Sequence, residues 1–300
     1  MNQITKTQQS APLVVQVATS VNAQLKKNRD VIMATLPKGF NYDRMCRTVI
    51  NAISTNAELA KCSPASIFMS TVRSFSLGIE PNGALAEGYL IPFWNSKKHS
   101  MEAQFMPSYR GLQALARRSG EIADVYAKEV REKDFFEAEE GTERKITHKP
   151  DYTKNRGDAV CYYAVFHTKD GSVDFEVMSK DEIDEIRRLS KSADRGPWAD
   201  HYSEMAKKTV MKRLLKRAPM SIELASTINL DNKVASGEAV DDVLEIEGLE
   251  IDDMEQPEDL QKAVNADRTE DVKAKIAAKK QQSATIDVTP NETANNGNLI

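Results

Sequence analysis

Six lysine and arginine residues fall within the eleven positions from Lys207 to Arg217, and no acid falls among them. Cations in that density can neutralise phosphates without any catalytic partner. On a helix, Lys208, Lys212 and Lys216 recur at i, i+4 and i+8 and form one stripe, flanked by Arg213 and Arg217. Val210, Met211, Leu214 and Ala218 lie roughly opposite and would make the buried face. Trp198, Tyr202, Met205 and Thr209 project near the lysines, so rings could stack on bases while ammonium groups meet phosphates. The stripe places Lys208 on the exposed side. Lys207 falls among Val210 and Leu214, where a lysine must snorkel, pair, or reach a bound phosphate. Charge alone also fits a solvated surface, a membrane surface or an acidic partner protein.

A second basic element is "SYRGLQALARRSGE". Arg110, Gln113 and Arg117 align at i, i+3 and i+7, with Arg118 beside them; Leu112, Leu115 and Ala116 face the other way. Tyr109 opens this helix, where it could stack on a base or pack in the core. Lys97 and Lys98 mark the tip of a hairpin. Three basic sites on separate elements could line one groove.

The motifs of covalent chemistry are missing. Gly83 and Gly88 have Walker A separation, but Tyr89 and Leu90 follow where a lysine and a hydroxyl are needed. The four histidines show no ligand spacing, and no HExxH or GxSxG occurs. "KDEIDEIRR" puts four carboxylates in five residues, which could suggest a metal-dependent nuclease. A solvated helix with acids in its first turn explains the same residues through the helix dipole. Cys46, Cys62 and Cys161 have no CxxC spacing and fit a reducing compartment.

These residues belong to a body that is basic although the chain is acidic. The net charge is −4, but Asp231–Ile300 carries 17 acidic and 7 basic residues, a net of −10, leaving +6 on residues 1–230. That asymmetry suggests a polyanion-binding domain joined to a tail with another role. No apolar run is long enough for a membrane span, and the N-terminus lacks the pattern of a secretory signal.

The elements that must position the cations are legible from local signals. Residues 1–10 read as frayed, and a weak helical pattern runs from Pro12 to Met33. A stronger helix is expected over Tyr42–Cys62, and Ser63-Pro64 opens another that ends at Gly78. Tyr89–Trp94 and "MEAQFMPSY" read as a hairpin around "NSKKHS". A helix over Tyr109–Ser119 closes on Gly120. Ala123–Arg131, "FFEAEE" and "ERKITHK" are strand candidates, and "AVCYYAVFHT" and "SVDFEVM" form a hairpin across an Asp-Gly turn. Helices are expected over Lys180–Ser190 and Trp198–Ala218, the second stopped by Pro219. Residues 258–282 could form a local helix, and the last stretch reads as disordered.

Several long motifs in order, "LGIEPNGALAEGYLIPF", "SYRGLQALARRSGEI", "KDGSVDFEVMSKDEIDEIRRLSK" and "GPWADHYSEMAKKTVMKRLLKRAP", resemble the RecT family of phage and prophage single-strand annealing recombinases. The resemblance covers roughly residues 30 to 230. It implies an α+β fold: a helical N-terminal part, a core of antiparallel β-hairpins with packed helices, and an acidic disordered tail. The expected division is an arm over 1–30, poorly ordered or helical, an annealing core over 31–230, and a partner-recruiting tail over 231–300. The implied activity is ATP-independent binding and annealing of complementary single strands in homologous recombination, with strand invasion in some members. A protein that only protects single strands is the alternative. Implied partners are single-stranded DNA and the annealed duplex intermediate, further copies in a ring or helical filament, a 5′→3′ exonuclease and the host single-strand-binding protein. No cofactor is expected beyond a divalent cation such as magnesium as modulator, and the implied location is the cytoplasm of a bacterial host. Carried onto this sequence, the groove-lining residues are Tyr109, Arg110, Arg117, Arg118, Lys207, Lys208, Lys212, Arg213, Lys216 and Arg217.

Overall fold

The structure, a computed structural model, describes residues 12–190, 193–194, 196–236 and 249–250. Expectations for residues 1–10, for a helix over 258–282 and for the C-terminal stretch lie outside the described residues.

The chain is α+β. Its N-terminal part is helical: α1 (Leu13–Lys27), α2 (Arg29–Thr35), α3 (Tyr42–Thr55), a 3₁₀ turn at Leu59–Lys61, and α4 (Pro64–Ser76). Val17, Val21 and Leu25 of α1, Met45, Val49 and Ile53 of α3, and Ile67 and Phe68 of α4 are fully buried. The residues expected to form an arm therefore supply part of the core. The expected helix over Tyr42–Cys62 stops at Thr55. Asn56 Oδ1 takes the backbone N–H groups of Glu58 and Leu59 (3.0 and 3.3 Å), which draws the chain out of the α ladder. Ser63 caps α4 as expected, its hydroxyl accepting from Ser66 N, with Pro64 at the first turn.

Strands β1 (Gly88–Asn95) and β2 (Ser100–Pro107) form the first hairpin. The free edge of β2 is closed by α4 and its cap. Ser63 N donates to Met101 O, Ser66 Oγ accepts from Ala103 N, and Ser70 Oγ donates to Ala103 O, all at 2.8–2.9 Å. Side-chain hydroxyls thus do the work of a third strand and lock the hairpin to the helical part.

After α5 (Tyr109–Arg118), β3 (Ile122–Arg131), β6 (Ala159–Thr168) and β7 (Val173–Ser179) make an antiparallel sheet in the order β3-β6-β7. Register puts Val125, Ala127, Tyr162, Ala164 and Phe166 on one face. Helices α5 and α8 (Tyr202–Leu215) pack against this sheet. The other face carries Val130, Tyr163, Val165 and Phe175, packed against Phe136 and Ile146 of the hairpin β4 (Phe135–Glu139) and β5 (Lys145–Lys149). The expected Asp-Gly turn is present, with Gly171 at φ 90°.

Helix α6 (Lys180–Leu189) opens on a capping box between Ser179 and Glu182. The single helix expected over Trp198–Ala218 is two, α7 (Pro197–Asp200) and α8, broken at His201 (φ −139°, ψ 48°). A further helix, α9 (Ile222–Ser236), packs on α5 and β2. It runs through the expected core–tail boundary at 230/231. Among the described residues, no helix is long and apolar enough to cross a membrane.

Candidate nucleic-acid interface

Helix α5 is set in place by its first turn. Ser108 Oγ accepts from Gly111 N and donates to Ala86 O, while Ser108 N donates to Glu87 O. Gly111 is needed there because a Cβ would collide with the Glu87 carbonyl oxygen. The close approach leaves Tyr109 half-buried and Arg110 exposed. The Tyr109 hydroxyl beside it raises the Arg110 pKa, with a smaller contribution from the Glu204 carboxylate of α8 (Tyr202–Leu215). Helix α5 packs on α8 and touches β2 of the hairpin. Tyr89 lies outside the cationic elements that the sequence singles out. The signal that marks it is an aromatic at an outward position between the buried Gly88 and Leu90. Trp94, exposed near the hairpin tip, carries the same signal.

The two arginines that end α5 diverge. Arg117 pairs with Asp124 of β3 at 2.5 Å. Arg118 turns over Gly78 and influences Glu87 and Glu223. Gln113, expected on the cationic face, donates instead to the Val125 carbonyl at 2.7 Å and completes the sheet edge. Lys97 and Lys98 are exposed at the hairpin tip as expected; Lys98 pairs with Glu102 at 3.1 Å.

Helix α8 overturns the expected stripe. Lys208 is not exposed: its side chain is buried, bonded to Asp231 of α9. Lys212 reaches the same carboxylate at 2.7 Å and Asn232 at 2.9 Å. Burial lowers the Lys208 pKa from the usual lysine value. Burial also pushes on Asp231, but the two ammonium groups more than offset it and hold its carboxyl below its ordinary range. Lys207, expected toward the core, instead stays partly exposed and pairs with Glu204 at 2.9 Å. Trp198 is not on an exposed front either: it is 5% exposed and packs against Tyr202 with ring centroids 5.9 Å apart. α8 packs on the sheet and on α5, and its lysine stripe reaches across to Asp231 of α9, so the stripe is buried as well.

The far end of α8 meets the edge strand β7. Arg213 pairs with Glu176 at 2.8 Å and Glu182 at 3.3 Å. Arg217 pairs with Asp174 and Glu176 and donates to the Phe175 carbonyl at 2.8 Å. Arg144 reaches that carbonyl at 2.8 Å as well. Lys216 is exposed and has no partner among the described residues. The carboxylates of "KDEIDEIRR" are partly committed: Glu182 serves the cap and Arg213, and Asp184 accepts from Tyr202 OH at 2.9 Å.

Some of these cations act as internal struts. The exposed remainder, with two tyrosines among them, spans a hairpin and two helices on an α+β scaffold. Exposed cations and rings in such an arrangement have the chemistry to hold a polyanion. Comparison with known proteins makes the class specific. The family model of the RecT family matches residues 43–245. Protein RecT of Escherichia coli (strain K12) is 39% identical over 208 residues, covering 68% of this chain and 77% of that protein. The chain belongs to the RecT family, and with it to the single-strand annealing proteins of recombination.

Proposed function

We propose that the chain binds single-stranded DNA and anneals complementary strands without ATP, as an oligomer. The observation that carries this reading is the exposed Arg110 beside Tyr109 at the start of α5, a helix packed on the cation-bearing α8, in a chain of the RecT family. Rings can stack on bases while guanidinium and ammonium groups neutralise phosphates. Phosphate contacts are blind to sequence, so base pairing supplies the specificity. Annealing makes and breaks no covalent bond, so the protein contributes proximity and charge neutralisation. Lys97, Lys98, Arg110, Arg117, Arg118, Lys207, Lys212, Arg213, Lys216 and Arg217 are the proposed phosphate ligands. Those already paired with carboxylates would exchange them for phosphate. Gln113, Trp198 and Lys208 serve the scaffold. A 5′→3′ exonuclease that makes the single strand and the host single-strand-binding protein are the proposed partners.

Mixing two complementary labelled strands tests this directly. The protein should accelerate pairing in the absence of ATP, and Arg110→Glu or Tyr89→Ala should slow it without lowering the melting temperature. Tight binding with no acceleration would leave only a strand-protecting protein, and a requirement for ATP would overturn the mechanism.

A further inference from the structure

The outer side of α1 and α3 carries a groove of about 630 Å³. Its floor is apolar, made by Val14, Val15, Ala18, Cys46 and Ile50, and Arg47 stands on its wall. Val15 in this groove is 50% exposed. The end of the groove near α2 carries charges of both signs. Lys26 and Asp43 both act on the Cys46 thiol, and Arg29 lies over the Tyr42 ring at 5.4 Å.

At the C-terminal end of α1, Asn28 is buried and holds a main chain that is distant in sequence. Its Nδ2 donates to the Glu250 carbonyl at 2.9 Å, and its Oδ1 accepts from Glu250 N at 2.8 Å. Lys27 adds an ion pair to the Glu250 carboxylate at 3.0 Å. Both hydrogen-bonding groups of one peptide residue are therefore read by one side chain. Residues 237–248 have to join α9 to this anchor, so the chain available to continue past it starts at Ile251. That stretch reads Ile251-Asp252-Asp253-Met254-Glu255, two apolar side chains spaced around acids. Asn22, on the groove wall, is six helical residues from Asn28, about 9 Å along the axis. Four extended residues reach roughly 13 Å.

We infer that Ile251–Met254 of the same chain seats in the α1–α3 groove, with Ile251 and Met254 on the apolar floor and Asp252 and Asp253 toward Arg47 and Lys26. Charge favours this occupant over the N-terminal residues 1–11, which contain Lys6 and no acid. The acidic stretch is then tethered to the N-terminal helices and kept from competing for the cations of α5 and α8.

Cys46 in the groove is a native probe, since Cys62 is buried and Cys161 lies on β6. In full-length protein carrying Ile251→Cys or Met254→Cys, mild oxidation should join Cys46 to the introduced thiol within one chain, as seen by peptide mapping. A link between chains, on a non-reducing gel, would assign the groove to a second copy and overturn the proposal, as would no link in either variant. Independently, maleimide should alkylate Cys46 about tenfold faster in the Ile251→Asp/Met254→Asp double variant than in the native chain. Equal rates would overturn the proposal. Circular dichroism and the melting temperature confirm that a folded protein is tested in each arm.

Discussion

Lys208 and Asp231 are each 3% exposed, and together with Lys212 they join α8 to α9 through one buried carboxylate. Removing one partner of such a set costs more than the set contributes, because it strands a charge out of water. Lys208→Glu should therefore destabilise the fold by about 3–5 kcal/mol. In urea denaturation, the paired replacement Lys208→Met/Asp231→Leu should recover most of that stability. A Lys208→Glu protein that melts normally but binds DNA poorly would return Lys208 to the surface. Asp134 makes a second buried constellation. Its carboxylate takes two hydrogen bonds from Arg156 (2.7 and 2.5 Å) and lies 3.1 Å from His148 Nε2, whose ring reaches Tyr163 OH at 3.1 Å. The Arg156 hydrogen bonds hold the Asp134 carboxyl well below the usual carboxylate range, against the cost of burial. A depressed folded value means the stabilisation is fully present above the unfolded value near pH 4 and is lost as pH falls below it. Asp134→Asn should lower stability at neutral pH and flatten the acid limb of the stability–pH curve. An unchanged acid limb would remove Asp134 from that role.

The decisive element is α9. Its Leu224, Ile228 and Val234 are buried, and it carries the counter-charge for α8. A chain ending at residue 230 lacks Asp231 and should melt at a clearly lower temperature. A chain ending at Ser236 keeps Asp231 and the buried residues of α9 while losing the Lys27–Glu250 pair and the Asn28–Glu250 hydrogen bonds, and should melt at a higher temperature than the chain ending at 230. Equal melting of the two truncations would refute the strut. The edge of β7 shows a related use of cations. Arg144 and Arg217 converge on the Phe175 carbonyl, and Asp174 Oδ1 accepts from Phe175 N. An edge strand satisfied in this way is a poor template for a stray strand. Most element limits are legible because their signals are local: Ser63-Pro64, Ser108, Gly120 and the Asp-Gly turn each act within a few residues. The helix past Pro219 is not legible, because its burial rests partly on Asp231, and a buried acid leaves no apolar period to detect.

For the whole molecule, the proposed function assigns DNA binding to the body over residues 1–230, which carries a net +6. Removing one cation that neutralises a phosphate of a single strand should flatten the log–log salt dependence of affinity by about 0.7. Lys216→Gln should show that change with unaltered stability, since Lys216 holds no other group among the described residues. Arg217→Gln should show it together with lower stability, because Arg217 also ties α8 to β7. A salt slope indifferent to both would move the interface elsewhere.

The α+β class, the main hairpins, the caps, the charge division and the family are all written in the linear chain, because each follows from local chemistry or from long ordered motifs. The same chain also shows which helices carry the cations. Which of those cations face water is a matter of packing. Lys207 and Lys208 differ by 100° on one helix, and periodicity reveals one buried arc, facing the sheet. The second arc exists because α9 arrives from a residue range that composition assigns to the tail. Opposite charges brought together by long-range packing leave no trace in periodicity, so Lys208 is recognisable as a strut only with Asp231 in place beside it.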